Sequence, residues 1–187
     1  MKHLGTKELE TQRLILRRFN VHDAEKMFAN WASDDDVTKY LTWKSHNNVS
    51  VTKNILEDWV KNYDDNGFYQ WAITLKENTE PIGSISVVRK DDDIRMIHVG
   101  YCIGKKWWNK GLTSEALFRL IRFFYEESDV NRIESTHDPK NPNSGKVMVK
   151  CGLKYEGLMR QAGKKNQGEL CDLAMYAMLR EDYCFKV

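Results

Sequence analysis

The sequence predicts a mixed α/β fold, a mostly antiparallel sheet carrying helices on both faces, and three observations lead there. Apolar residues recur at two-residue spacing in some stretches and at three- and four-residue spacing in others, so strands and helices share one chain. Between 68 and 103 the separators are short and polar, which makes neighbouring strands there antiparallel. With 187 residues, no internal repeat and no linker rich in Gly, Ser or Pro, the chain reads as one domain, 1–187, with its core from about 9 to 183.

Residues 11–19 are β-prone, mixing apolar and basic side chains, and form the first expected strand. A helix follows from Val21, with Ala24, Met27, Phe28 and Trp31 at helical spacing, and Asp34, Asp35 and Asp36 end it as solvated charge. A second helix is expected over 51–63, where Ile55, Leu56, Trp59, Val60 and Tyr63 form a stripe before the Asp64-Asp65-Asn66-Gly67 break. The period then changes: 69–75, 82–88 and 94–103 read as a meander of strands. Helix returns over 112–125, with Ala116, Leu117, Leu120, Ile121 and Phe124 on one side. A strand over 132–137, a helix over about 143–151 and strands over about 154–161 and 170–179 complete the order.

Composition removes several classes of function. With 41% hydrophobic and 30% charged residues, 11 Gly and 3 Pro, the chain is neither collagen-like, low-complexity nor disordered. Lys+Arg at 29 against Asp+Glu at 27 leaves +2, without the electrostatic footprint of a general nucleic-acid binder. Cys102, Cys151, Cys171 and Cys184 form no CxxC pair and no zinc spacing, so they read as free thiols, and no metal site is expected. No stretch has the length of a membrane span and the start lacks an apolar signal core, so a cytoplasmic protein is expected.

The segment from Val99 to Ala116 runs from a strand through a basic turn directly into a helix. Thr113 or Ser114 can cap that helix, and the backbone N–H groups at its positive end favour phosphate. Gly111 lets a ligand oxygen approach the backbone, and Lys105, Lys106 and Lys110 add charge. Taken alone, one Gly among lysines also fits a solvated turn.

The run Gly100-Tyr101-Cys102-Ile103 through Trp107-Trp108-Asn109-Lys110-Gly111-Leu112-Thr113-Ser114-Glu115-Ala116-Leu117 resembles the acetyl-CoA signature of GNAT-superfamily N-acetyltransferases, in the branch that acetylates ribosomal-protein N-termini at alanine or serine. Asp138-Pro139-Lys140-Asn141-Pro142-Asn143-Ser144, with Gly152-Leu153 beyond it, resembles that branch's next strand-to-helix segment. Thr113 is bulkier than the pattern's usual residue, and Gly145 stands where an apolar one is common. The resemblance implies a six- to seven-stranded sheet splayed at the cofactor site, with acetyl-CoA as donor and no metal. It implies that Tyr101, Cys102 and Ile103 meet pantetheine and thioester, and that the backbone of Trp108, Asn109, Lys110, Gly111, Leu112 and Thr113 holds the pyrophosphate. Asn141 then bonds the pantetheine arm and Lys146 reaches the 3′-phosphate end.

Acetyl transfer needs an uncharged amine and a proton for the leaving thiolate. Strand alternation sets Met96, His98, Gly100 and Cys102 on one face and Ile97, Val99, Tyr101 and Ile103 on the other. His98 is an ionisable residue on an apolar strand, read either as a satisfied core imidazole or as the general base where related enzymes often have Glu. Ser144 matches the residue proposed to protonate the thiolate, or is simply a helix N-terminal residue; His137 and Asp138 are reserve candidates. The expected acceptor is a protein or peptide N-terminal amine, bound by a monomer or homodimer without nucleic acid or membrane. An amino acid, polyamine or aminoglycoside is the alternative acceptor, and a non-catalytic acyl-CoA-binding protein the alternative class.

Overall fold

The computed structural model describes residues 1–184, and among these eight strands form one sheet in the order β1-β2-β3-β4-β5-β6-β8-β7. They are β1 (Leu9–Glu10), β2 (Leu14–Arg17), β3 (Gln70–Leu75), β4 (Pro81–Asp91), β5 (Met96–Ile103), β6 (Arg132–His137), β7 (Lys154–Lys164) and β8 (Leu170–Leu179). All neighbours run antiparallel except β5 and β6. The strand beyond the expected six or seven is β1, whose two residues are too few to alternate; it pairs Leu9 with Leu16.

Side-chain alternation gives the sheet two apolar faces. Trp71, Ile73, Ile97 and Val99 are buried under α4 (Leu112–Glu127), whose Ala116, Leu117, Leu120, Ile121 and Phe124 form the expected inner side. Ala72, one residue along β3, points the other way into a second core with Phe19, Met27, Trp31 and Leu56. Each large side chain so buried contributes about 1.5–3 kcal/mol. Helices therefore cover both faces.

The first expected helix is not continuous. It consists of a 3₁₀ turn at Val21–Asp23, α1 (Ala24–Met27) and a π turn at Phe28–Ala32, whose wider winding carries Trp31 and Ala32 fully inside. The aspartates do end that run, with Asp35 and Asp36 exposed as expected, but they also open another element. Asp34 caps a new helix, α2 (Asp35–Thr38), its carboxylate accepting the Asp36 N–H at 2.8 Å. Helix α3 (Val49–Asn62) starts at Asn48 and buries Thr52 and Leu56, while Val60 of the expected stripe is exposed. Helices α5 (Pro142–Lys150) and α6 (Arg180–Cys184) complete the set.

The parallel pair β5 and β6 is short. Met96, Ile97 and His98 pair with Arg132, Ile133 and Glu134. The Ser135 hydroxyl donates to the Val99 carbonyl at 2.7 Å, and the strands then part. No described helix is long and apolar enough to cross a membrane. Cys102 and Cys171 carry free thiols; the side chain of Cys184 lies outside the described residues.

Candidate active site

A cavity of about 450 Å³ opens where β5 and β6 separate. Tyr101, Cys102 and Ile103 come from the end of β5; Trp108, Asn109, Gly111, Leu112 and Thr113 from the turn into α4; Asn141, Ser144 and Lys146 from the start of α5. Asp36, Val37, Tyr40 and Leu41 close it from the opposite face of the sheet. Two expected site residues are not in its wall: Lys110 and His98.

The 108–113 turn is built differently from the capped helix expected at Thr113 or Ser114. Gly111 itself is the N-cap, left-handed at φ 75°, and no side chain caps the helix. The first intrahelical bond runs from the Glu115 N–H to the Gly111 carbonyl at 3.1 Å, so the three preceding N–H groups lack an intrahelical acceptor. A side chain at 111 would be strained by that φ, and its Cβ would lie 3.6 Å from Lys150 Nζ and 3.7 Å from Arg13 Nη2. These two cations flank the turn. Lys105 instead pairs with Asp36, Lys106 lies over the Trp107 ring, and Lys110 offers its carbonyl to Arg13 at 3.0 Å. Sequence reading missed Arg13 and Lys150, which lie far from the turn along the chain; Glu115 explains Arg13, since their side chains pair at 2.6 Å and fasten β2 to the first turn of α4.

Across the cavity, the Ser144 hydroxyl donates to the Tyr101 hydroxyl at 3.2 Å, and the Tyr101 hydroxyl donates to the Ser144 carbonyl at 2.9 Å. Burial pushes the Tyr101 phenol well above its ordinary value, so it stays a neutral donor. Burial likewise raises the Cys102 thiol, whose Sγ lies 3.4 Å from Ser84 Oγ. Asn141 precedes Pro142 in a turn closed by its N–H on the Asp138 carbonyl at 2.7 Å, and Lys146 donates to Asn143 at 3.3 Å.

His98 shares its face of β5 with Cys102, four residues back from the cavity and about 13 Å along the strand. Its Nδ1 is 3.1 Å from Glu134 Oε1 and its Nε2 is 3.2 Å from Thr136 Oγ1. Burial lowers the imidazole below its ordinary value, against the hydrogen bond that His98 donates to Glu134, which raises it.

A splayed parallel pair beside a glycine-capped helix start, flanked by two cations and opening into a largely apolar slot, offers an anion-binding end with a gap leading away from it. The model of the family described as "Acetyltransferase (GNAT) domain" matches residues 13–154. The uncharacterized N-acetyltransferase p20 of Bacillus licheniformis is 31% identical over 175 residues, covering 94% of this chain and 97% of its own. The [Ribosomal protein uS5]-alanine N-acetyltransferase of Escherichia coli is 38% identical over 60 residues, 32% of this chain and 31% of its own. A GNAT-family acetyltransferase from Bacillus anthracis superposes with a TM-score of 0.81 at 26% identity, covering 94% of this chain and 99% of that one. The chain belongs to the GNAT acetyltransferase family and is an acetyl-CoA-dependent N-acetyltransferase.

Proposed function

We propose that this enzyme acetylates the N-terminal amine of a protein or peptide, with the acetyl-CoA pyrophosphate on the backbone of the 108–113 turn. The observation that carries the donor placement is the open, glycine-capped start of α4 between Arg13 and Lys150, with Leu112, Thr113 and Ser114 N–H groups free of intrahelical acceptors. Tyr101, Cys102 and Ile103 line the route from that turn into the gap between β5 and β6, the place for pantetheine, and Asn141 and Lys146 face it from α5. The similarity to a ribosomal-protein alanine acetyltransferase supports a polypeptide acceptor.

In this reading His98 accepts the proton that the acceptor ammonium must lose. Its burial and low basicity keep it uncharged at neutral pH. Ser144 relays a proton to the sulfur as the carbon–sulfur bond breaks, with its hydroxyl held at the cavity by Tyr101. Acetyl-CoA is offered with peptides beginning in alanine or serine, with the same peptides blocked at the N-terminus, and with a polyamine and an aminoglycoside. Thiol release with the free peptides, and mass spectra placing the acetyl group on the α-amine, are expected. Transfer confined to the small amines overturns the acceptor assignment.

A further inference from the structure

His98 is an ionisable residue on an apolar strand, and the structure places a carboxylate beside it on the neighbouring strand. Glu134 lies opposite His98 in the parallel register of β5 and β6 and is almost wholly buried. Its Oε1 is 3.1 Å from His98 Nδ1 and 2.6 Å from Arg89 Nη2, and its Oε2 is 3.0 Å from Arg132 Nε. Burial works to raise Glu134, but the hydrogen bonds from His98, Arg132 and Arg89 hold it below the ordinary carboxylate value. An ionised carboxylate only accepts, so neutral His98 carries its proton on Nδ1. The lone pair of Nε2 then faces the Thr136 hydroxyl, which donates to it at 3.2 Å.

The arrangement points toward the cavity. Thr136 is two residues beyond Glu134 on the same face of β6, one step nearer the place where the strands part. On β5 the corresponding step is Gly100, which brings no side chain of its own; Val88 of β4 borders the space, its Cγ1 3.0 Å from where a Cβ would lie. Thr136 itself is only half-buried, so its hydroxyl stays within reach of an amine on that face.

We infer that Glu134 is a positioning residue that fixes the tautomer of His98 and balances its charge, and that the Thr136 hydroxyl passes the amine proton to His98 Nε2. The inference rests on His98 as the proton acceptor in the reading above. The ammonium gives one proton to the Thr136 oxygen as the Thr136 hydroxyl gives its own to Nε2, leaving a neutral amine and an imidazolium held by Glu134. The nitrogen lone pair then forms the new bond to the acyl carbon. As the carbon–sulfur bond breaks, the remaining extra proton on nitrogen reaches the thiolate sulfur by way of Ser144, and His98 discharges its proton to water.

The charged groups facing His98 make opposite predictions. Glu134 raises the imidazole and Arg89, from β4, lowers it; Arg132 bears on it through Glu134. Rate against pH is measured for the full chain and for Glu134→Gln, Arg89→Gln, Thr136→Val and Thr136→Ser, with histidine ¹⁵N shifts recorded as a second readout. In Glu134→Gln the acidic limb moves to lower pH by roughly one unit, and kcat on the plateau falls roughly 10-fold as the base weakens. Arg89 is largely exposed, so Arg89→Gln keeps its fold, and its limb moves to higher pH. Thr136→Val loses roughly 10-fold in kcat without moving the limb, and Thr136→Ser recovers it. The ¹⁵N shifts report the Nδ1–H tautomer in the wild type and a mixture in Glu134→Gln. If His98→Gln abolishes the limb while Glu134→Gln and Arg89→Gln leave it in place, the role of Glu134 is overturned and the base stands. If His98→Gln turns over at the wild-type rate, the base assignment falls, and this inference with it.

Discussion

At the scale of single residues, the proposed reaction gives Gly111 and Ser144 opposite kinds of work, one in binding and the other in the transition state. Gly111 combines a left-handed backbone with neighbouring Lys150 and Arg13, so its lack of a Cβ leaves both the N–H fan and the cations open to phosphate. Gly111→Asp adds a strained side chain and a negative charge, weakening coenzyme A by about 2 kcal/mol, roughly 30-fold in Kd. Calorimetry on the folded variant measures this, and an unchanged Kd removes the turn from the site. Ser144→Ala, by contrast, lowers kcat roughly 100-fold with little change in the Michaelis constant for acetyl-CoA, because the proton relay belongs to the transition state. A loss confined to donor affinity would make Ser144 a binding contact. Gly111 was legible in the sequence because strand, glycine and helix are contiguous there. Its cations were not: Lys105, Lys106 and Lys110 are neighbours along the chain, but Lys105 pairs with Asp36, Lys106 lies over Trp107 and Lys110 is outside the cavity wall, while Arg13 and Lys150 reach Gly111 from other elements. The partner of His98 was hidden for the same reason, since Glu134 meets it through strand register, 36 positions away.

At the scale of elements, legibility followed the length of the periodic run. Helix α4 was readable almost end to end, whereas the helix read from Val21 up to the aspartates is three short pieces, with the unread α2 following it. Capping by Asp34 and the π turn around Trp31 depend on local hydrogen bonds that hydrophobic spacing does not report. Helix α5 carries a glycine within its run that the fold explains. Position 145 is glycine because His137 occupies the space: a Cβ there would lie 2.5 Å from His137 Nε2. That ring cannot swing aside cheaply, since its Nδ1 donates to the Asp138 carbonyl at 2.8 Å and it lies against Tyr176, centroids 5.6 Å apart. Gly145→Ala therefore destabilises by about 1–2 kcal/mol despite the better helix propensity of alanine. In a His137→Ala background the same change becomes stabilising by roughly 0.5–1 kcal/mol. Urea unfolding of the four proteins gives the coupling; additive effects would show that His137 is not what holds position 145 to glycine.

At the scale of the whole molecule, the sheet is joined across its middle by little. Strands β1 to β5 form one antiparallel run and β6, β8 and β7 another, and between them stand three backbone register pairs, the Ser135 bond to Val99 and the ion cluster around Glu134. Beyond Val99 the two halves separate around the cavity, so a donor that spans the 108–113 turn, the end of β5 and the start of α5 supplies contacts the protein itself lacks there. Binding to the folded state alone stabilises it by about 2.7 kcal/mol when coenzyme A is at 100 times its Kd. For a chain of this size that raises Tm by about 5–10 °C. At the same coenzyme A concentration the roughly 30-fold weaker Gly111→Asp variant gains only about 0.9 kcal/mol, so its Tm rises by about 2–4 °C. Amide exchange locates the effect: added protection is expected at 99–103, 108–114 and 138–146, with the edge strands β1 and β7 little changed. A similar Tm rise in wild type and variant, or protection spread evenly over the sheet, would mean that coenzyme A stabilises the fold from somewhere other than the gap between β5 and β6.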